Sequence, residues 1–349
     1  MYFSQLALPL FKTTTMKYTH LLLSLILISV LSFKNEAQTT PISIIFETDM
    51  GNDVDDALAL DMLYKYKEAG RINFLMMATN KTGKHSAEYL DIMNTWYGHD
   101  IPIGVVSGSE DNADSFVRKV CELKKDGKPV FERTIKEFPQ AVELYRKTLA
   151  QQPDNSVYIV SVGFSTNLAR LLDSPADQYS PLTGKELVAK KVRLLSTMMG
   201  NFADSNFDEF NVKCDIPAAQ KVINEWPTEI VASPFEVGDI ILYPGASIVN
   251  DFNWGMPHPM VAGYENYMQM PYDRQTWDLT SVLYVIEKDK NFFGSSDRGT
   301  ISISDKAITT FTPDAGGKHS YLKVTPEQVT AIRQYFIDLI TQKPLRYKK

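Results

Sequence analysis

The chain has 349 residues, of which 44% are hydrophobic and 22% are charged, and its formal net charge is −6. These proportions are those of an ordinary globular protein, and they exclude an intrinsically disordered or fibrous chain. The mildly acidic balance gives no reason to expect a nucleic acid or an anionic membrane surface as a partner.

The N-terminus carries the pattern of a signal peptide. Lys17 precedes an apolar run of 13 residues at positions 21–33, and a small residue, Ala37, follows at a possible cleavage site. Such a run is too short for a comfortable transmembrane helix. We therefore predict cleavage of residues 1–37, export to the periplasm or the medium, and no stable membrane insertion afterwards. An uncleaved membrane anchor is the alternative, and Met16 is a possible true start of the chain.

Strand and helix signals alternate through the rest of the chain. Short apolar runs predict strands, and apolar residues at helical spacing predict helices. The predicted strands are residues 42–46, 73–79, 157–162, 192–198 and 229–232. The predicted helices begin near Val54 and Ser165 and cover residues 86–97, 216–226 and 277–287. This alternation predicts an α/β fold with a mostly parallel, Rossmann-like sheet and helices on both of its faces.

The C-terminal part has a different pattern. Residues 300–322 contain short β-type runs separated by Gly and Pro, which predicts a small antiparallel appendage. Pro326 then begins a last helix that ends before Pro344, so that appendage and helix together occupy about residues 299–343. Because we find no internal repeat and no low-complexity linker, we expect residues 38–349 to form a single domain.

An acidic loop directly after the first predicted strand is the most informative stretch. Its ten residues hold five carboxylates, at Glu47, Asp49, Asp53, Asp55 and Asp56. In parallel α/β sheets this position is where ligands bind. One or two of the acids could be helix caps, which suits Asp53 or Asp55, but five like charges in a partly buried loop repel one another. A bound cation removes that conflict, and because the loop lacks His and Cys, Ca²⁺ or Mg²⁺ fits better than Zn²⁺.

The acidic loop resembles the N-terminal signature of the inosine-uridine nucleoside hydrolase family, usually written D-x-D-P-G-x-D-D. Asp49 matches the second Asp of the signature, and Asp55 and Asp56 match the final pair. The sequence departs from the signature in two ways: Glu47 stands at the first Asp, and two extra residues lie between Asp49 and the final pair. The insertion leaves open whether Asp53 takes a ligand position instead.

Three further segments resemble the same family, in the family's order. Residues 157–167 resemble a strand followed by the turn T-G-P-L-T-N. Residues 208–219 resemble the segment E-F-N-x-x-x-D-P-x-A-A, and Trp277-Asp278 resembles a late H-D or W-D pair. Together with the acidic loop, these matches span roughly residues 42–287. The resemblance implies the nucleoside-hydrolase fold and hydrolysis of the N-glycosidic bond of ribonucleosides to a free base and ribose.

The resemblance also implies a role for each matching residue. Asp49 would be the catalytic base. The ligands of a Ca²⁺ ion would be the side chains of Asp49, Asp56 and Asp278 and the backbone carbonyl of Val162. The substrate-binding residues would be Asp55, Asn80, Asn206, Glu209, Asn211, Trp277 and Asp278. The Trp would stack on the base, which favours purine nucleosides.

Each of these residues also has a structural interpretation. Asn80 could be a turn-former, Glu209 and Asn211 could belong to a solvated polar loop, Asp278 could be an N-cap, and Trp277 could be a core aromatic. Two other functions stay open as well: a non-catalytic periplasmic nucleoside- or sugar-binding protein on the same scaffold, and a Mg²⁺-dependent phosphatase.

Two properties are left open by the sequence. Dimers and tetramers are usual in the family, so a homo-oligomer is possible, but no segment identifies an interface. The only two cysteines, Cys121 and Cys214, are either buried thiols or one incidental bridge.

Overall fold

A ten-stranded sheet runs through the protein in the computed structural model, which describes residues 40–107 and 116–348. Nine strands follow one another across this sheet in the order β13-β12-β14-β8-β7-β6-β1-β2-β3, and β11 pairs with β14. Two more pairs, β4 with β5 and β9 with β10, form small two-stranded sheets. In chain order the strands are β1 Ile42–Thr48, β2 Ile72–Thr79, β3 Ile103–Val105, β4 Lys124–Lys125, β5 Lys128–Pro129, β6 Val157–Ser161, β7 Val192–Met198, β8 Glu229–Ser233, β9 Leu242–Tyr243, β10 Arg274–Gln275, β11 Gly294–Ser295, β12 Gly299–Ile303, β13 Thr309–Pro313 and β14 His319–Lys323.

The middle of the sheet is parallel. Strand β1 pairs in parallel with β2 on one side and β6 on the other, and the parallel pairing continues through β7 and β8 to β14. Consecutive residues of β1 show that both faces are covered, because Ile45 and Phe46 point to opposite sides and are both fully buried in separate apolar clusters. The predicted fold class is therefore confirmed.

Helices cover both faces of this sheet. The described helices are α1 Asp55–Glu68, α2 Lys84–Tyr97, α3 Phe116–Cys121, α4 Ala141–Ala150, α5 Thr166–Asp173, α6 Gly184–Lys191, α7 Phe210–Cys214, α8 Ile216–Glu225, α9 Phe235–Asp239, α10 Gly245–Asn250, α11 Pro259–Tyr267, α12 Trp277–Ile286 and α13 Pro326–Ile340. Short 3₁₀ turns lie at Asn253–Gly255, Lys288–Lys290 and Leu345–Tyr347. Seven of these helices are absent from the sequence-based prediction: α3, α4, α6, α7, α9, α10 and α11.

The predicted antiparallel appendage is present, and it extends the central sheet. Strands β12 and β13 form an antiparallel hairpin, whereas β14 pairs in parallel with β8 and so lengthens the parallel part of the sheet. Helix α13 begins where it was predicted, and it is fixed there by a capping box between Thr325 and Gln328. Its last residue, Ile340, comes three positions before the predicted end at 343.

The predicted signal peptide, residues 1–37, lies outside the described residues, so its cleavage stays a prediction. From Pro41 onward the chain forms one compact unit. Within the described ranges, no helix has the length and apolarity needed to cross a membrane.

Candidate active site

A cavity of about 260 Å³ opens where the parallel strands β1, β6 and β7 end. Its lining combines acids and amides on one hand with large apolar side chains on the other. The lining residues are Asp49, Asn52, Asp53, Asp55, Asp56, Val162, Met198, Glu209, Phe210, Asn211, Phe235, Trp277 and Asp278. Because the carboxyl ends of parallel strands meet at one edge, loops that are far apart in sequence converge here.

Three carboxylates form the most closely spaced group in the cavity. Asp55 and Asp56 lie in the first turn of α1, and Asp278 lies in the first turn of α12. All three are buried, and each offers a carboxylate oxygen within 4.8 Å of the others. The backbone N–H of Asp278 donates to Asp55 at 3.0 Å, so the two helix N-termini meet at this point. Asp278 is therefore not the N-cap of its helix, a position that Thr276 occupies.

This group carries more negative charge than the protein compensates. Burial raises the pKa of Asp56 well above its usual range, and the neighbouring Asp49 and Asp55 raise it further. Burial and the nearby acids act in the same direction on the pKa of Asp278. One oxygen of Asp56 accepts from the Thr48 hydroxyl, while the other is buried without a hydrogen-bond partner in the described part of the chain. An all-oxygen cluster with an unsatisfied buried oxygen fits a hard divalent cation.

Asp49 lies in the same cavity and is held by a neighbour from its own loop. The Asn52 amide donates to Asp49 at 2.6 Å, and the Lys81 ammonium donates to the Asn52 carbonyl oxygen at 2.5 Å. Burial raises the pKa of Asp49 to about 6, while the Asn52 hydrogen bond and the Lys81 charge lower it. Asp49 does not belong to the group of three closely spaced carboxylates. The predicted ligand side chains are Asp49, Asp56 and Asp278, whereas the closely spaced group consists of Asp55, Asp56 and Asp278.

The loop after β6 packs closely against Asp49 and against Asn80, which follows the end of β2. The Val162 carbonyl accepts from the Asn211 amide at 3.3 Å, and Val162 lines the cavity. A Cβ at the next residue, Gly163, would lie 2.5 Å from the Asn80 side chain and 2.8 Å from that of Asp49. Only glycine allows this close approach. Asn80 is thus buried beside Asp49, although it does not line the cavity itself.

Glu209 and Asn211 form a rigid polar corner of the cavity. The Glu209 carboxylate caps helix α7 and accepts from the backbone N–H groups of Asn211, Val212 and Gly200 at 2.8, 3.1 and 3.1 Å. Burial raises its pKa to about 7, against the effect of these bonds. The Asn211 amide N–H group donates to the carbonyls of Val162 and Met198, at 3.3 and 3.2 Å. Both residues are buried, so they do not form a solvated loop.

An aromatic wall closes another part of the cavity. Trp277 stacks on Phe235 with ring centroids 5.3 Å apart, and Phe235 contacts Phe207 at 4.5 Å. The Trp277 indole N–H donates to the Phe235 carbonyl at 3.1 Å, which fixes the ring orientation. Phe210 also lines the cavity and is 54% exposed. Trp277 itself is only partly buried, and it lines the cavity, so its ring offers surface there.

The insertion in the acidic loop has its own partner. Asp53 makes a two-pronged ion pair with Arg274, in which Nε donates at 2.8 Å and Nη2 donates to the second oxygen. The Arg274 guanidinium also lies over the rings of Trp277 and Tyr267, at 5.3 and 5.1 Å from their centroids. Among the described residues, Asp55, Asp56 and Asp278 have no such ion pair. Asp53 thus differs from the cation-binding candidates because its charge is compensated within the chain.

Asn206 is the one predicted site residue that the structure does not bring to the site. It is exposed, it does not line the cavity, and its backbone N–H donates to the Asp204 carboxylate at 2.9 Å in a local turn. Conversely, the sequence-based prediction missed Asn52, Lys81 and Phe235. Lys81 could have been identified from the sequence, because it directly follows the strand end at Thr79 and Asn80.

Comparisons with known proteins agree with this geometry. A comparison of the sequence with curated proteins gives no match. Among solved structures, a purine-preferring ribonucleoside hydrolase from Gardnerella vaginalis is similar with a TM-score of 0.65 and 12% identity, covering 86% of this chain and 99% of that one. An inosine-uridine preferring nucleoside hydrolase from Bacillus anthracis gives 0.63 and 16%, with coverages of 86% and 99%. A plant nucleoside hydrolase gives 0.62 and 15%, with coverages of 86% and 98%.

These structural similarities establish the fold. The match of the sequence to a family model also establishes the family. The model of the inosine-uridine preferring nucleoside hydrolases matches residues 44–331, which include every residue of the cavity. The chain is a member of the inosine-uridine preferring nucleoside hydrolase family.

Proposed function

We propose that this protein hydrolyses the N-glycosidic bond of purine ribonucleosides and requires Ca²⁺ to do so. The observation that carries the proposal is the combination, in one cavity, of the buried carboxylates Asp55, Asp56 and Asp278 with the aromatic wall of Trp277 and Phe235. The carboxylates suit a cation and a ribose, and the aromatic wall suits a flat base.

The residues that would hold the cation are the side chains of Asp49, Asp56 and Asp278 and the carbonyl of Val162, with Asp55 adjacent. Carboxylates and backbone carbonyls are the donors that Ca²⁺ accepts in its flexible coordination shell of six to eight oxygens. When bound, such an ion lowers the pKa of a coordinated water and so makes it a better nucleophile.

The chain's own residues supply the rest of the reaction. Asp49 accepts a proton from the attacking water as a new C–O bond forms at the anomeric carbon of ribose and the C–N bond to the base breaks. Glu209, Asn211 and Asp55 accept hydrogen bonds from the ribose hydroxyls. Interactions of this kind accelerate the reaction if they strengthen in the oxocarbenium-like transition state.

The leaving base takes the electron pair of the broken bond and takes up a proton from solvent water. An indole has no group that titrates near neutral pH, so Trp277 acts by stacking. A bicyclic purine buries more surface on an indole than a pyrimidine does, and a purine accepts a proton at a ring nitrogen. Stacking is worth about 1–3 kcal/mol per base, which supports a purine preference.

The test combines activity and stability on the same metal-stripped protein. After treatment with EGTA we expect release of hypoxanthine from inosine to stop and the melting temperature to fall, and we expect added Ca²⁺ to restore both. A ligand that binds only the native state at 100 times its Kd adds about 2.7 kcal/mol of stability. The parallel arm with Mg²⁺ tests the choice of ion.

Three outcomes separate the alternatives. Unchanged activity and melting after verified metal removal contradict the calcium requirement. Binding of inosine without release of base, in the presence of Ca²⁺, favours the non-catalytic binding protein. Faster release from uridine than from inosine contradicts the purine preference.

A further inference from the structure

A buried lysine lies behind the catalytic carboxylate. Lys81 follows the end of β2, and only 1% of its surface is exposed. Its ammonium donates to the Asn52 side-chain oxygen at 2.5 Å, and the Asn52 amide N–H donates to Asp49 at 2.6 Å. The three side chains therefore form a directed chain of hydrogen bonds that ends on the oxygen Oδ2 of Asp49.

The direction of this chain follows from the chemistry of its members. A lysine ammonium only donates, and an ionised carboxylate only accepts. An amide between them has one arrangement that satisfies both, with its oxygen toward Lys81 and its N–H group toward Asp49. The reversed amide would place N–H against ammonium and oxygen against carboxylate. Lys81 thus determines how Asn52 faces the carboxylate.

Asn52 lies in the part of the acidic loop that departs from the family signature. Asn52 belongs to the stretch between Asp49 and the Asp55-Asp56 pair, which is two residues longer than the family signature. The one acid within that stretch, Asp53, accepts from Arg274. The Asn52 amide N–H instead donates to Oδ2 of Asp49, so Asn52 contacts one of the two oxygens of that carboxylate.

We propose that Lys81 is a positioning residue for the hydrolytic reaction, acting through Asn52 to hold the Asp49 carboxylate in its reactive orientation. The inference rests on the proposed function, in which Asp49 is the base. Glu209 and Asn211, the proposed ribose-binding residues, are held by Gly200 and Val162 and not by this chain of hydrogen bonds. We therefore expect loss of the Lys81–Asn52–Asp49 chain to change the chemical step and to leave substrate binding in place.

The competing explanation is that Lys81 only balances the charge of the acidic cavity. Charge balance acts directly through space and does not need Asn52. The two explanations therefore differ in whether the effect of removing Lys81 depends on the presence of Asn52, which a double-mutant cycle measures.

The experiment measures kcat and KM for inosine at saturating Ca²⁺ in Lys81→Met, Asn52→Ala and the double variant. The exposed Lys84→Met, three residues away, is the matched control and keeps the parent's values. We expect each single variant to lose about tenfold in kcat, equivalent to about 1.4 kcal/mol, with KM within about twofold of the parent. We expect the double variant to be no slower than the slower single variant. Losses that multiply in the double variant overturn the proposal, as does a larger effect on KM than on kcat.

A second variant keeps the test decisive if Lys81→Met does not fold. Asn52→Asp still accepts from Lys81 but cannot donate to Asp49, so we expect it to lose as much kcat as Asn52→Ala. A parental kcat in Asn52→Ala overturns the proposal whatever happens to Lys81→Met. If the parent protein releases no base from inosine, the proposed function has failed, and the positioning role fails with it. If the parent is active and the losses multiply, only the positioning role fails.

Discussion

Helix α1 contains buried carboxylates at two positions: Asp55 and Asp56 in its first turn, and Asp61 further along. The two positions differ in the groups that surround the carboxylates. Asp55 and Asp56 face the cavity among other acids, and the pKa of both is raised well above the usual range by burial and by those neighbours. Asp61 is equally buried but lies among donors. Its carboxylate accepts from the Lys65 ammonium at 2.5 Å and from the Tyr97 hydroxyl.

The Asp61 environment is complete within the protein. Lys65 also donates to the Ile340 carbonyl at the end of helix α13, which ties α1 to the C-terminal helix. Burial raises the pKa of Asp61, and the Lys65 charge and hydrogen bond oppose that rise. No further ligand is required for this pair to be satisfied.

The difference indicates which buried acids are functional. A buried charge is tolerated when a partner and hydrogen bonds compensate it, as at Asp61. A group of like charges without such a partner is tolerated when something from outside compensates it, as proposed at Asp56 and Asp278. The same helix therefore contributes to stability with one acid and to the candidate site with two others.

The largest expected effect comes from removing the charge of the proposed base. Asp49→Asn should lower kcat for inosine by about 10²–10⁴-fold, the usual contribution of general base catalysis, with a further loss if the cation site is damaged. Asp53→Asn is the matched control from the same loop, because Asp53 is paired with Arg274. Steady-state kinetics on both variants decide the question. If Asp53→Asn is the more severe change, the alignment through the insertion is wrong.

An intermediate effect is expected at the self-contained charge pair. Lys65→Met leaves Asp61 buried without its cation, and we expect a loss of about 3–5 kcal/mol in the free energy of unfolding. The measurement is urea denaturation, and kcat per folded molecule should stay at the parental value. Lys67→Met, on the same helix but partly exposed, should change stability by less than about 0.5 kcal/mol. Equal losses in both variants would remove the contrast between Asp61 and the cavity acids.

The smallest expected effect concerns the choice of base. Trp277→Ala should lower kcat/KM for inosine about ten- to hundredfold more than kcat/KM for uridine, because stacking on a purine is lost. Trp254→Ala, which replaces a partly exposed tryptophan outside the cavity lining, is the control. Equal losses for inosine and uridine in Trp277→Ala would mean that Trp277 acts in packing and that base choice is set elsewhere.

Local sequence was sufficient for most of the central parallel strands, and together with the family resemblance it indicated most of the residues that line the cavity. Hydrophobic periodicity indicates a buried strand followed by an acidic loop and a helix, and the ends of parallel strands necessarily share one edge. That reasoning, together with the resemblance to the family, places Asp49, Asp55 and Asp56 near Glu209, Asn211 and Asp278. In the structure these residues lie around one cavity.

Sequence did not reveal the contacts that depend on packing between distant segments. Asp53 and Arg274 are 221 positions apart, so nothing local indicates their ion pair. Lys81 reaches Asn52 because β2 lies beside β1 in the sheet, and β14 pairs in parallel with β8, a strand that is distant from it along the chain.

The sequence by itself thus determined the α/β class, the acidic loop and the family, because short-range periodicity and motif spacing are properties of the local chain. Only the tertiary structure decided which acids have partners and which do not: Asp61 with Lys65, Asp53 with Arg274, and Asp56 with an oxygen left unsatisfied. The physical reason is that compensation of a buried charge depends on every element packed around it, and that environment exists only in the folded chain.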